Sequence, residues 1–347
     1  MKSFLVASIL TLVGSCATTK YSTKISNLKK SIKLQDSLVL TSYSNTITEA
    51  ELKSLLYDYA NDEFAGRKTG EPGQKKAAAF IQNYYQDLQM ATPLKNGTYF
   101  QHIPETFLPK DINASENILA YIKGTEKPEE VLVLSAHYDH LGTEGDIIFY
   151  GADDDGSGTV ALMEMAEAFK QAEINGHGPK RSVLFLHFTA EEIGLQGSYY
   201  YTNTDPVFPL ENTIANLNID MIGRKDFTYQ NANTDYIYLI GSDRLSKELH
   251  YLSEKVNKTY FNLLLDYKYN AEDDGNRYYY RSDHYNFARH NVPVIFYFNG
   301  EHEDYHQATD TPDKINYPLL EKRTKLIFAT AWHLANQDNK LIMNDEL

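Results

Sequence analysis

The 347-residue sequence has only one cysteine, Cys16, and this scarcity excludes two kinds of protein. One cysteine forms no intramolecular disulfide, so the chain is not a small domain held together by disulfide bonds. It also excludes a structural zinc site built from several thiolates. A metal site in this chain would have to use histidine and carboxylate ligands.

Positive charge is also in deficit, since 33 Lys and Arg residues face 47 Asp and Glu residues, for a net charge of −14. A chain of this sign repels the phosphate backbone, so we expect no nucleic acid partner. The composition is otherwise that of a soluble globular chain, with 42% hydrophobic and 23% charged residues. Its length allows one large domain or two smaller ones.

Long apolar runs are absent too. The first apolar run, residues 4–13, is too short to span a bilayer. It follows Lys2 and leads into Val13-Gly14-Ser15-Cys16, a pattern typical of a bacterial lipoprotein signal peptide. We therefore predict a signal peptide over residues 1–16, with Cys16 lipidated. A plain secretory signal is the alternative. The expected location is the bacterial cell envelope, periplasm-facing or surface-exposed, with membrane contact through the lipid anchor only.

The stretch over residues 17–45 is rich in Ser, Thr and Lys and has no clear apolar period. This composition predicts a flexible tether. Residues 46–343 contain no internal repeat and no low-complexity linker, so we predict one domain there. No motif sets an oligomeric state.

Short apolar runs alternate with helix-like segments along the predicted domain. The runs 131–136, 182–188, 236–240 and 294–298 read as buried strands. Apolar residues recur at helical spacing in segments 158–172, 244–257 and 318–336, and a further helix is predicted over 75–90. This alternation predicts an α/β sandwich around a mainly parallel sheet.

Acidic and histidine residues cluster just after the predicted strands, where open α/β sheets place their sites. The clusters are HYD at 137–139, GADDDGSG at 151–158, TAEEIGL at 189–195, NIDM at 218–221 and YH at 305–306. Taken singly, the first could be a hydrogen-bonded loop histidine and the second a solvated acidic turn or a calcium loop. Together their nitrogen and oxygen donors suit zinc, with manganese or cobalt as possible substitutes.

The same motifs resemble, in their order, the co-catalytic di-zinc aminopeptidase family, which also contains glutaminyl cyclases and glutamate carboxypeptidases. The match runs from about Asp62 to Ala335. The resemblance implies two zinc ions and identifies five metal ligands: His137, Asp154, Glu192, Asp220 and His306. Asp154 would bridge both ions, His137 and Asp220 would complete one subsite, and Glu192 and His306 would complete the other.

The resemblance also implies roles for residues beside these ligands. Glu191 matches the general base, Asp139 the carboxylate that orients His137, and Tyr305 a tyrosine that hydrogen-bonds the oxyanion. Asp283 lies in a segment that the family places near the substrate pocket. The implied fold is a three-layer sandwich with a mixed, mainly parallel sheet of about eight strands between helix layers. A cis peptide is expected after Asp154.

The expected function is that of a zinc exopeptidase that removes N-terminal residues from peptides. A glutaminyl-peptide cyclase on the same fold is the nearest alternative, although cyclases tend to carry a small hydroxyl residue where this chain has Asp155. Carboxypeptidase or amidohydrolase specificity stays open, and a non-catalytic envelope protein that binds peptides or metals is a further alternative. His140 and His284 are expected to be hydrogen-bonded neighbours of the site rather than further ligands.

Overall fold

A mixed β-sheet forms the centre of the computed structural model, which describes residues 20–95 and 97–347. The strands within this range are, in chain order, β1 (Phe100–Ile103), β2 (Ser115–Ile122), β3 (Lys127–His137), β4 (Gly142–Glu144), β5 (Ile147–Phe149), β6 (Arg181–Phe188), β7 (Thr213–Ile219), β8 (Tyr236–Ile240), β9 (Leu264–Asp266) and β10 (Val294–Phe298). Eight of them form the sheet, in the order β1-β2-β6-β3-β7-β10-β8-β9, and β4 pairs with β5 in a separate hairpin.

The four middle strands, β6, β3, β7 and β10, run parallel to one another. Antiparallel pairs join β1 to β2, β2 to β6 and β10 to β8, and the edge strand β9 is parallel to β8. The predicted mixed, mainly parallel sheet of about eight strands is therefore confirmed.

Helices cover both faces of the sheet. They are α1 (Tyr21–Ser31), α2 (Ser37–Ser44), α3 (Glu49–Tyr59), α4 (Pro72–Asp87), α5 (Gly158–Ile174), α6 (Gln196–Asn203), α7 (Lys247–Tyr260), α8 (His284–Ala288) and α9 (Tyr317–Asn336). Because successive strand residues point to opposite faces, Leu132 and Leu134 pack in one core cluster, whereas Val131 and Val133 pack in the other. The first cluster includes α3, α4, α5, α7 and α9, and the second includes α6 and α8. This arrangement is the predicted three-layer sandwich.

The N-terminal segment differs from the prediction. Cys16 and the predicted signal peptide lie outside the described residues. Residues 21–31 and 37–44 are helical, so the expected flexible tether over 17–45 is wrong for this part. The reason is hydrophobic burial, since Leu28, Ile32, Leu40 and Tyr43 are each at most 7% exposed. The folded body therefore begins well before residue 46.

None of the helices in residues 20–95 and 97–347 has the length and apolar character needed to cross a membrane.

The strand ends position the site. The middle strands β3, β6, β7 and β10 end at His137, Phe188, Ile219 and Phe298, and their parallel direction brings these ends to one edge of the sheet. Strands β1, β2 and β9, the β4–β5 hairpin and the helices α6 and α8 had no sequence prediction.

Candidate active site

The five predicted metal ligands converge at the carboxyl edge of the sheet. His137 ends β3, Asp154 lies in an irregular turn before α5, and Asp220 directly follows β7. His137 Nε2 lies 3.2 Å from Asp154 Oδ1 and 3.6 Å from Asp220 Oδ1. On the other side, His306 Nε2 lies 3.1 Å from Asp154 Oδ2 and 3.3 Å from Glu192 Oε2. The two oxygens of Asp154 thus face two different histidines.

These residues fit two zinc ions on the evidence of their donor atoms. Ligand atoms about 2.0–2.1 Å from a tetrahedral zinc lie about 3.3 Å from one another, close to the four separations above. His306 Nε2 is buried without a hydrogen-bond partner among the described residues. Burial lowers the pKa of His306, but the carboxylates of Asp154 and Glu192 outweigh it and raise that pKa to about 10. The site therefore favours a positive charge at its centre.

The two acids beside Asp154 hold the turn rather than face the ligand atoms. Asp155 Oδ2 accepts a hydrogen bond from His137 N at 3.2 Å, and its Oδ1 accepts one from Met221 N at 3.0 Å. Asp153 Oδ1 accepts one from Gly223 N at 2.6 Å. The peptide bond between Asp154 and Asp155 is cis, as expected. The acidic run is therefore a buried framework with one carboxylate left to face the two histidines.

Asp139 lies beside His137 but contacts it differently from the prediction. The backbone carbonyl of Asp139 is the group within hydrogen-bond reach of His137 Nδ1, at 3.1 Å, whereas its carboxylate oxygen is 3.7 Å away. The carboxylate instead accepts a hydrogen bond from Glu191 N at 3.1 Å and one from Thr69 Oγ1 at 2.7 Å. Asp139 thus links the histidine to Glu191.

Glu191 borders the same cavity as His137, Asp154, Glu192 and Asp220. Burial raises the pKa of its carboxyl well above the usual range, and the nearby negative charges act in the same direction. The proximity of His137 opposes the shift without cancelling it. A carboxyl group in this setting suits proton transfer near neutral pH.

Tyr305 also borders the cavity, and its ring stacks on His306 with centroids 3.9 Å apart. Burial and the surrounding carboxylates raise the pKa of its hydroxyl, so the hydroxyl keeps its proton and can donate it in a hydrogen bond. This position is compatible with the predicted contact to an oxyanion.

Asp283 does not line the cavity, contrary to the prediction. It is fully buried at the start of α8, and its carboxylate accepts a hydrogen bond from Ser198 Oγ. Burial raises the pKa of Asp283 to about 7. The segment carrying Asp283 is near the site, as the motif implied, but the packing of α8 on α6 turns this side chain inward.

An apolar wall borders the cavity beside the ligand residues. The apolar wall consists of Met221 and the aromatic residues Tyr278, Phe296 and Phe298, and Arg281 and Glu301 form an ion pair beside it at 3.3 Å. Two of these residues come from β10, whose period-two pattern could have indicated which side chains share a face. The others come from loops whose course no local pattern determines.

The other two histidines near the motifs have different surroundings. His284 is buried and stacks on Phe296, with ring centroids 4.8 Å apart. Burial lowers the pKa of His284 to about 3, so the ring is neutral. His140 contacts Glu192, with Nδ1 and Oε1 2.7 Å apart. His140, Asp154 and Glu192 form one group able to hold a metal ion, and His137, Asp154 and Asp220 form another.

Comparison with known families and structures gives results consistent with this geometry. The model described as Peptidase family M28 matches residues 117–331, more than half of the chain. Leucine aminopeptidase 2 of Arthroderma otae is 28% identical over 247 residues, which cover 63% of this chain and 45% of that protein. The chain thus spans less than half the length of this relative.

Two solved structures share the fold at identities below 25%. The zinc aminopeptidase BSAP of Bacillus subtilis superposes with a TM-score of 0.63 at 16% identity, covering 85% of this chain and 97% of that one. A glutaminyl cyclase from an Acidobacteriales bacterium gives a TM-score of 0.62 at 22% identity, covering 82% of this chain and 94% of that one. The fold is therefore shared by both kinds of enzyme.

Proposed function

Because this chain belongs to peptidase family M28, we propose that it is a zinc-dependent aminopeptidase that removes N-terminal residues from peptides. One observation carries the proposal. Asp154 faces His137 with one carboxylate oxygen and His306 with the other, and Glu191 borders the same cavity. A two-metal hydrolase requires two adjoining metal subsites and a nearby carboxylate that can act as the general base.

Two zinc ions would be held by ligands that share Asp154. His137 and Asp220 would complete one subsite, and Glu192 and His306 would complete the other. When bound, zinc acts as a Lewis acid that polarises the scissile carbonyl and makes water easier to deprotonate.

The chain's own residues then handle the proton and the developing charge. Glu191 takes a proton from the attacking water and returns it to the nitrogen of the leaving amine. Asp139 holds the start of this segment, because its carboxylate accepts a hydrogen bond from Glu191 N at 3.1 Å. The hydroxyl of Tyr305 donates a hydrogen bond to the oxyanion as it forms.

Glutaminyl-peptide cyclase activity is the second candidate, and the likeness to the glutaminyl cyclase structure favours it as an alternative. Such a reaction joins the substrate amine to its own side-chain carboxamide and releases ammonia. Two observations favour hydrolysis instead: the chain has two adjoining ligand groups, and Asp155 occupies the position where cyclases tend to carry a small hydroxyl residue.

The test is a panel of dipeptides, their N-acetylated counterparts and an N-terminal glutaminyl peptide, incubated with the zinc-loaded protein. We expect free amino acids from the free-amine peptides and none from the blocked ones. Equal cleavage of blocked peptides would indicate another exopeptidase or an amidase. Ammonia release without cleavage would indicate a cyclase, and no reaction with any peptide would indicate a non-catalytic binding protein.

We further propose that Cys16 carries a lipid anchor and that the protein faces the aqueous space of the cell envelope. Lys24, near the start of the described chain, contacts the terminal residue Leu347. The neighbouring Asn344 donates a hydrogen bond to Leu245 O at 2.9 Å, beyond the end of β8. Because β8 runs antiparallel to β10, the end of β8 and the following Leu245 lie at the opposite edge of the sheet from the site. An anchor at Cys16 would leave the active site facing away from the membrane.

Metabolic labelling with a fatty acid tests the anchor. We expect label on the wild-type protein and none on the Cys16→Ser variant. A wild-type protein without label would contradict the lipid anchor and leave a plain secretory signal as the explanation of the N-terminal sequence.

A further inference from the structure

His140 lies inside the metal site, where the sequence predicts a hydrogen-bonded neighbour rather than a further ligand. Its side chain is fully buried, and its ring and that of His306 meet edge to face, with centroids 5.9 Å apart. Its Nδ1 lies 2.7 Å from Glu192 Oε1 and 3.7 Å from Asp154 Oδ2. The imidazole therefore contacts one proposed zinc ligand directly.

These two distances distinguish a hydrogen bond from metal ligation. A nitrogen that shares a tetrahedral zinc with two carboxylate oxygens lies about 3.3 Å from each of them. His306 Nε2 meets this condition, at 3.1 Å from Asp154 and 3.3 Å from Glu192. His140 Nδ1 lies only 2.7 Å from Glu192 Oε1, which is too close for two ligands of one tetrahedral zinc and is the length of a strong hydrogen bond to a carboxylate.

The surroundings of His140 hold its ring in this place. Its backbone N donates a hydrogen bond to Arg67 O at 3.2 Å. Arg67 in turn donates from Nη2 to Gly151 O at 2.9 Å, which ties this loop to the turn that carries Asp154. Gly151 leaves the space that the ring fills, since a Cβ atom there would lie 2.6 Å from His140 Cγ.

We propose that His140 is a positioning residue for the second zinc subsite, a proposal that rests on the proposed function. Its Nδ1–H donates to Glu192 Oε1, and this bond leaves Glu192 Oε2 directed toward His306 Nε2. One oxygen of Glu192 is thereby fixed by protein, and the other is free to bind zinc. Hydrogen bonds of this kind to ligating carboxylates stabilise bound metal. The two subsites then differ, because Glu192 depends on His140 whereas Asp220 accepts its hydrogen bond from Ser282 Oγ, at 2.6 Å.

The test compares zinc binding by the full-length protein and three variants, measured by competition with a chelator. His140→Ala removes the donor. His140→Asn places an amide N–H near the position of Nδ1, so it restores the hydrogen bond. His333→Ala is the matched control, because His333 is a buried histidine on α9 whose Nδ1 accepts a hydrogen bond from Gln35 N at 3.0 Å.

We expect His140→Ala to weaken the binding of one of the two zinc ions by about 10-fold to 100-fold and to leave the binding of the other unchanged. His140→Asn should regain most of the loss, and His333→Ala should bind both ions as the wild type does. Unchanged zinc affinity in His140→Ala would overturn the proposal. So would an equal loss of both ions together with a lower Tm, since that result indicates only a structural role.

Substitution with Co²⁺ separates positioning from ligation. Each histidine bound to Co²⁺ gives a strongly shifted, exchangeable N–H proton signal, and we expect two such signals, from His137 and His306. A third signal that disappears in His140→Ala would make His140 a ligand and overturn the proposal. These measurements need no substrate, so a protein that binds zinc as described but cleaves no peptide would refute the proposed function alone.

Discussion

Asp154 Oδ2 lies 3.1 Å from His306 Nε2, although five strands, β6 to β10, separate the two residues in the sequence. The other oxygen of Asp154 faces His137 at 3.2 Å. A single carboxylate therefore joins two groups of donors that would otherwise be separate sites.

Replacing Asp154 by Asn should release zinc from both subsites, because an amide carries no charge and offers one oxygen instead of two. We expect zinc content after dialysis to fall from two ions per chain to fewer than about one. Elemental analysis measures this directly. Asp273→Asn, at an exposed loop position, is the matched control and should retain both ions. An Asp154→Asn protein with two bound ions would refute the bridging role.

The Asp139→Asn variant distinguishes the contact seen in the structure from the role that the sequence motif implies for this carboxylate. In the structure the backbone carbonyl of Asp139, not its carboxylate, lies within hydrogen-bond distance of His137. Asp139→Asn should therefore change zinc affinity by less than about 3-fold. If the carboxylate oriented the histidine, the loss would be about 10-fold or more. The variant loses a charged acceptor for Glu191 N, and kcat should fall by about 10-fold. Chelator competition and steady-state kinetics on one preparation give both values. A loss of zinc affinity of about 10-fold or more would instead show that the carboxylate orients His137, as the motif implies.

The N-terminal helices should contribute to stability. Leu40 of α2 is 1% exposed, whereas Leu38 of the same helix is 89% exposed. Leu40→Ala should therefore lower the free energy of unfolding by about 2–4 kcal/mol, and Leu38→Ala by less than about 0.5 kcal/mol. Urea denaturation of the two variants tests the pair. Equal and small effects would mean that α2 does not pack on the domain in solution.

The buried carboxyl group of Glu164 in α5 should make the free energy of unfolding depend on pH. Burial raises its pKa in the folded protein to about 8 from an ordinary value of 4.5, and the charges of Glu51 and Glu167 add to the shift. Between these two values the folded state holds a proton that the unfolded state has lost. Glu164 therefore makes stability fall as pH rises from about 4.5 to 8, by up to about 1.4 kcal/mol per pH unit.

The variant Glu164→Gln removes this titration, so its advantage over the wild type should grow from pH 5 to pH 8 and then stay level. Urea denaturation at pH 5, 6.5 and 8 measures the difference, with the exposed Glu49→Gln of α3 as control. A constant difference between variant and wild type across this range would contradict the shifted pKa of Glu164.

Local signals in the sequence were sufficient to predict an α/β fold and the acidic and histidine clusters, whereas the eight-stranded sheet and the choice of five ligands came from the family resemblance of the motifs. The apolar run 131–136 ends just before His137, and the run 182–188 ends shortly before Glu191 and Glu192, so each run indicates a strand and the side chains at its end. The contacts of Asp139 were not predictable in this way. Its carboxylate meets Thr69 and Glu191, and no local pattern reveals that these distant segments adjoin.

The N-terminal helices were missed although a signal was present. Leu28 and Ile32 are four residues apart and both are buried, which is the spacing of one helix face. The surrounding Ser, Thr and Lys residues masked this short pattern. Helices of 11 and 8 residues are stabilised mainly by packing on the domain rather than by their own composition.

The most direct test of the central claim is the Glu191→Gln variant, assayed for zinc content and for turnover of a free-amine dipeptide. The amide cannot accept a proton from water, so kcat should fall by about 10²-fold to 10⁴-fold, while both zinc ions stay bound. That result would establish the cavity beside Asp154 as the catalytic centre and Glu191 as its base. Turnover close to that of the wild type, with zinc retained, would contradict the account.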